Sequence, residues 1–280
     1  MFMIARSNRE LLPGADLDAS KMPGHWLLAR LGKRVLRPGG LALTRRLAES
    51  LDIRSSDSVV EFAPGLGATA RLTLDRHPAS YMAIERDESA ANALRRWLAE
   101  PQHKCVCASA DQTGLPSRSA TVVYGEAMLT MQGPAQKASI VREAFRLLKP
   151  GGRYGIHEMC LIPENLDERI KEDVQRRVSE SIRVGARPLT AGQWRALLEA
   201  EGFEVTHEHR APMHLLEPSR LLHDEGLLGT GRFLWNVLRD GEARRRVRAM
   251  RRTFGDYEAH LAAIMLVARK PSADSRCPDL

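Results

Sequence analysis

Two glycines and three carboxylates stand where they can act on one ligand. The run Val59-Val60-Glu61-Phe62-Ala63-Pro64-Gly65-Leu66-Gly67-Ala68-Thr69-Ala70 passes from β-branched residues through an acid into a glycine turn, then into a segment of helical character. Gly65 and Gly67 let the backbone turn sharply and admit a ligand where a Cβ would obstruct it. A helix opening there turns unpaired N–H groups and the positive end of its dipole towards a negatively charged group. Glu85 ends a second apolar run, and Asp111 follows a third. Each acid alone reads more simply as a helix cap or a solvated loop charge. Their register with the glycine loop points instead to a shared ligand.

The later turn Leu147-Leu148-Lys149-Pro150-Gly151-Gly152 completes the series. With Glu61, the glycine loop, Glu85 and Asp111, it resembles the class I S-adenosylmethionine (SAM)-dependent methyltransferases over residues 58–159. The general layout is similar to the ubiquinone- and menaquinone-methyltransferase branch. The resemblance implies SAM as cofactor. It implies that Glu61 and the backbone of Ala63, Pro64, Gly65 and Gly67 hold the amino acid end, and that Glu85 accepts from the ribose hydroxyls. Asp111, after Ala110, then meets the adenine amino group, Arg86 flanks the adenine, and Glu126 belongs to the same site. Ala63 stands where the family has its first glycine, and Pro64 fixes φ at a variable position; both read as tolerated. A nicotinamide-binding fingerprint would need glycine at positions 63, 65 and 68, where this chain has Ala63, Gly65 and Ala68.

Methyl transfer asks the protein to place the acceptor in line and exclude water. Acceptors that must lose a proton also need a base. His157 and Glu126 are the catalytic candidates, with Glu158 and His25 as further ones. On a strand, His157 and Glu158 point to opposite faces, so at most one of the two reaches the pocket. No metal is predicted: His207 and His209 share a strand face, but no third ligand has a recognisable spacing.

The elements that must position these residues alternate strand with helix from Ser58 to Met159, which argues for a parallel sheet covered on both faces. Ligands of such sheets sit beyond the carboxyl ends of the strands. The expected fold is α/β: a Rossmann-like, mostly parallel seven-stranded sheet with helices on both faces and an added helical cover. Residues 1–57 read as an N-terminal helical lid after a loose arm around Pro13-Gly14, and 58–270 as the SAM-binding core. Helical insertions fall at about 163–185 and 217–258, the latter broken at Gly226, Gly229-Thr230-Gly231 and Asp240-Gly241. Residues 271–280 are a tail. Thr190 and Gln193 have capping-box spacing. Trp26, Leu27, Leu221, Leu222, Phe233 and Trp235 are candidate linings of an apolar acceptor pocket.

At 280 residues, 43% hydrophobic and 28% charged, the chain suits one sizeable core. Cys105, Cys107, Cys160 and Cys277 show neither zinc spacing nor a disulfide framework, which fits a reducing cytoplasm. The apolar start Met1–Ile4 is too short for a signal peptide, and no run is long enough to span a membrane. The net charge of +7 gathers most densely at Arg244, Arg245, Arg246, Arg248, Arg251 and Arg252. The plain reading of that run is an amphipathic helix with its arginines in water. The sequence therefore reads as a methyltransferase acting on a small molecule. RNA or protein as acceptor, or SAM binding without catalysis, are the alternatives; nucleic acid is the lesser partner reading, and the oligomeric state is left open.

Overall fold

The computed structural model describes residues 17–98 and 100–272. The expected N-terminal arm around Pro13-Gly14, Cys277 and most of the tail fall outside them. In chain order the elements are α1 (Gly24–Arg30), α2 (Gly40–Leu51), β1 (Ser58–Phe62), α3 (Ala68–Leu74), β2 (Ser80–Glu85), α4 (Glu88–Arg95), β3 (His103–Cys107) and β4 (Ala120–Glu126). There follow α5 (Pro134–Leu147), β5 (Leu148–Leu161), α6 (Glu168–Ile182), β6 (Leu189–Thr190), α7 (Ala191–Ala200), β7 (Glu204–Pro212), α8 (Pro218–Arg239), α9 (Gly241–Asp256) and β8 (Leu261–Arg269).

One sheet runs β3-β2-β1-β4-β5-β8-β7. The pairs from β3 to β5 are parallel, and β8 lies antiparallel between β5 and β7. The expected count of seven gains the short β6. β5 outruns its partner β4, and Leu189 and Thr190 pair with the Cys160 and Leu161 left over. The expected turn at Lys149–Gly152 is instead the kinked start of β5. Gly151 takes φ +77° there, and its N–H donates to Lys270 O at 2.8 Å.

The two sheet faces bury separate cores. Val60, Phe62, Val123 and Ile156 pack under α5 and α7, while Val59, Tyr81, Val122 and Val267 pack under α2, α3 and α4. The capping box opens α7 as the spacing predicts, with Thr190 and Gln193 each bonding the other's backbone. A third core binds α1, α6, α8 and α9 into a helical layer around Leu27, Val174, Val178, Phe233 and Met250. The stretch expected to form one lid is thus split. α1 joins the helical layer, whereas α2 lies on the sheet, its Leu43, Leu47 and Leu51 buried with Met265 and Val267.

Within 217–258 the chain kinks at Gly226, whose φ +69° and ψ 175° suit glycine, and breaks at Asp240; it stays helical through Gly229-Thr230-Gly231. The two acids before the kink turn inward. Lys33 Nζ, fully buried, lies 3.7 Å from Asp224 and 3.6 Å from Glu225. Asp224 accepts from the N–H of Leu41 at 3.0 Å, and Glu225 from those of Arg34 and Val35 at 2.8 and 3.0 Å. This ties α8 to the segment entering the site. Lys33→Met should leave two buried carboxylates without a cation and cost about 3–5 kcal/mol; urea unfolding of wild type and variant measures it.

Candidate cofactor and acceptor site

A cavity of about 620 Å³ opens beyond the carboxyl ends of β1, β2 and β4, between their loops and the helical layer. Its volume is in the range of small-ligand sites. The floor is the β1–α3 loop. Ala63, Gly65 and Gly67 take φ of +50°, +56° and +73°. The two glycines answer different needs. A Cβ on Gly67 would lie 2.3 Å from the Trp97 ring, whereas one on Gly65 would meet nothing within 4 Å. Gly65 donates its N–H to Glu85 Oε2 at 3.0 Å, and Ala63 donates to Ile84 O at 2.8 Å. Ala63 therefore does more than keep its place small: it holds the left-handed conformation that normally falls to glycine.

Glu61 and Glu85 both border the cavity and are nearly fully buried. Glu61 Oε2 accepts from Tyr81 at 2.5 Å and Tyr124 at 2.6 Å. Burial pushes its carboxyl up to about 7 against the pull of those two hydroxyls. Glu85 Oε1 accepts from Asp87 N at 3.0 Å, and burial raises it as well. Pro64, Arg86 and Ala110 also line the wall. Asp111 does not. Its carboxylate accepts from Ser109 Oγ, which holds it below the ordinary range, and Ser109, Ala110 and Gln136 form that part of the wall instead. Gln136 comes from α5 and gave no sign in the sequence, because its approach depends on how α5 crosses the sheet.

Glu126, at the end of β4, borders the cavity as a shared acceptor. Arg37 Nε lies 3.3 Å from its Oε2; Thr44 Oγ1 and His157 Nδ1 donate to Oε1 at 2.6 and 2.7 Å; Thr69 Oγ1 donates to Oε2. Burial works to raise this carboxyl, but the charges and bonds of Arg37 and His157 outweigh it and hold the group at about 2. A carboxylate so firmly ionised is a poor proton acceptor near pH 7. His157 is fully buried and absent from the cavity wall; its Nε2 donates to Pro38 O. The two residues read as base candidates from sequence are therefore built as a structural pair. Glu158 is equally committed. It accepts from the N–H groups of Met128, Leu129 and Thr130 at 3.0, 2.7 and 3.0 Å and from Thr130 Oγ1 at 2.7 Å, so it fixes the loop that carries Met128 and Thr130 into the wall.

The roof is mostly apolar: Trp26 and Leu28 of α1, Ile182 of α6, Met213 and Leu215 after β7, and Met250 and Phe254 of α9. Among the candidate linings only Trp26 reaches the cavity. Leu27, Leu221 and Phe233 are buried between helices, and Leu222 and Trp235 are exposed. His25 stands in the wall beside Trp26, ring centroids 4.8 Å apart, and burial pushes its imidazole down to about 4. The wall thus holds an uncharged imidazole at neutral pH. Arg37 also lines the cavity; its Nη2 is buried and makes no hydrogen bond. Of the arginine run, Arg246 is buried, donating to the carbonyls of Ala19 and Met22 at 2.7 and 2.5 Å. Among the described residues, His214, Glu217 and Glu258 converge, with His214 Nδ1 3.7 Å from Glu217 and Nε2 3.1 Å from Glu258, whereas His207 and His209 stand in no such group.

The sheet order and the glycine loop at its carboxyl edge define a doubly wound cofactor-binding protein. The family profile described as a methyltransferase domain matches residues 60–156. An uncharacterised protein of Haemophilus influenzae is 32% identical over 252 residues, 88% of this chain and 98% of its own length. Phosphoethanolamine N-methyltransferase 2 of Haemonchus contortus, solved with S-adenosyl-L-methionine, superposes with a TM-score of 0.69 at 15% identity, over 94% of this chain and 60% of that one. The cyclase SpnF gives 0.61 at 20% identity, over 83% and 81%. The chain belongs to the class I SAM-dependent methyltransferases, and SAM is its cofactor.

The loop geometry predicts opposite outcomes at two small residues. Ala63→Gly should relieve a left-handed alanine and stabilise by up to about 1 kcal/mol. Gly67→Ala should destabilise by about 2 kcal/mol or more, since it adds a clash with Trp97 to the backbone strain. Thermal unfolding of both variants checks this.

Proposed function

We propose that the enzyme methylates a small, largely apolar acceptor held under the helical roof, next to the methyl group of bound SAM. The observation that carries this reading is the composition of the single continuous wall: carboxylates and loop backbone on the floor, apolar side chains from α1, α6 and α9 above. The residues fit the cofactor. Glu85 accepts from the ribose hydroxyls, the space over Gly65 admits the ligand against backbone, and Glu61 takes the ammonium. The unpaired Arg37 Nη2 takes the carboxylate of the same end. Ser109, Ala110 and Gln136 border the adenine, with Asp111 at its rim. SAM supplies a methyl group already activated by its sulfonium. What remains for the protein is to orient the acceptor, exclude water through the apolar roof, and accept a proton where the acceptor carries one. His25, uncharged and in the wall, serves the first of these by hydrogen-bonding the acceptor; pushed down to about 4, it is itself a poor proton acceptor near pH 7, so the reading favours acceptors with no proton to lose.

Two experiments test the reading. With Glu61 at about 7, the ionised form that pairs with the ammonium fills as pH rises through 7. Affinity for S-adenosylhomocysteine should therefore climb by up to about tenfold per pH unit below 7 and level off above it. Glu61→Gln should bind more weakly with that slope removed; an unchanged slope would take the ammonium away from Glu61. Turnover of labelled SAM should be found with small apolar acceptors rather than RNA or protein. In that assay His25→Ala should lower kcat by about tenfold or more through lost orientation of the acceptor while S-adenosylhomocysteine affinity stays put. Labelling of RNA or protein alone would transfer the proposal to a macromolecular acceptor.

A further inference from the structure

The second half of α8 is turned inside out for a soluble helix. Phe233 and Val237 point inward and are buried, while the opposite side carries Leu227, Leu228, Leu234, Trp235 and Leu238 in the open. Leu227 is 80% exposed, Leu228 91% and Trp235 59%. At 100° per residue these five side chains, with Gly231 among them, cover one continuous stripe. Scattered exposed leucines need no explanation, but a contiguous apolar stripe on a helix marks a surface that meets something.

The charges around the stripe say what. Arg232 and Arg239 follow it along one edge of the helix, and the Arg239 guanidinium lies over the Trp235 ring, 5.6 Å from its centroid. On the adjoining α9, Arg245, Arg248, Arg251 and Arg252 are exposed. Among the described residues, Arg232, Arg239, Arg248, Arg251 and Arg252 form no ion pair, and Arg245 pairs with Glu242. A leucine and tryptophan face bordered by unpaired arginines is the composition of a helix that lies in the plane of an anionic membrane surface. A second copy is the poorer occupant: pairing two such faces about a two-fold axis would bring the arginine edges of both copies together without counter-charge.

We infer that the α8–α9 hairpin is a peripheral membrane-binding surface, with the apolar stripe of α8 set among the acyl chains and the arginines on anionic headgroups. The hairpin is also part of the roof of the cavity, because Met250 and Phe254 on the inner side of α9 line it. A bound membrane would therefore lie one helix layer from the acceptor pocket. The attachment itself does not depend on what that pocket methylates.

Flotation with phospholipid vesicles tests it on the full chain. The protein should float with vesicles of phosphatidylcholine and phosphatidylglycerol, more weakly with phosphatidylcholine alone, and less as salt is raised. Leu227→Gln/Leu228→Gln/Leu234→Gln should lower vesicle affinity by about tenfold or more. Arg248→Gln/Arg251→Gln/Arg252→Gln should remove the preference for phosphatidylglycerol. Circular dichroism and S-adenosylhomocysteine binding keep loss of fold apart from loss of attachment. A wild type that stays with the unbound fraction, or a leucine variant that floats as well as wild type, overturns the inference. A dimer that the leucine substitutions dissociate, with no flotation, gives the face to a second copy.

Discussion

Five parts of the chain meet on the Glu126 carboxylate. Arg37 brings the segment between α1 and α2, Thr44 brings α2, Thr69 brings α3, and His157 brings β5 to the end of β4. A buried carboxylate is costly unless its lone pairs are filled and its charge is balanced. Here both oxygens are filled, and the partners Arg37 and His157 lie in the interior. The edge of the cavity where α2 and α3 approach is held by this one anion. Removing any partner would leave charge or lone pairs unmet away from water, so the site's shape and its electrostatics are one problem.

The same logic recurs one layer out. Glu158 gathers three backbone N–H groups of the loop after β4, and Asp224 and Glu225 gather those of residues 34, 35 and 41 while flanking Lys33. Irregular backbone near a ligand site has no helix or strand partner for its N–H groups, and burial removes water as a substitute. Acids on neighbouring elements supply the acceptors. Glu61 and Glu85, which also border the cavity, are raised by burial where Glu126 beside them is held down, so they stand to gain from a cationic or hydroxyl-bearing ligand.

The helical layer makes the site more than a cofactor crevice. α1, α6 and α9 share a core with Met159 and Leu161 of β5, so the roof is packed onto the sheet rather than loosely laid over it. Its inner side is apolar towards the cavity, and the outer side of α8 is apolar towards solvent. A similar fold carries a cyclase as well as methyltransferases. A fold that carries both does not fix the reaction by itself, so what this chain acts on depends on the lining that its helical layer supplies.

The sequence by itself determined the parts governed by local rules. Strand–helix alternation, the glycine loop, Glu85 after β2 and the Thr190–Gln193 cap were legible, because each depends on a few adjacent residues and on period or backbone conformation. Even there, the left-handed φ of Ala63 was hidden, since alanine does not announce it. Tertiary structure alone decided which of several chemically equal side chains face the cavity. His157, Glu126, Glu158 and His25 looked alike as candidate bases. Packing buried the first against Pro38 and Glu126, locked the second and third into hydrogen bonds, and left the fourth in the wall. The same holds for the apolar positions of α1 and α8, where helical period predicts a face but not what the face meets. Trp26 lines the site, Leu27 fills the core and Trp235 lies in the open, because burial is set by elements far apart in the chain.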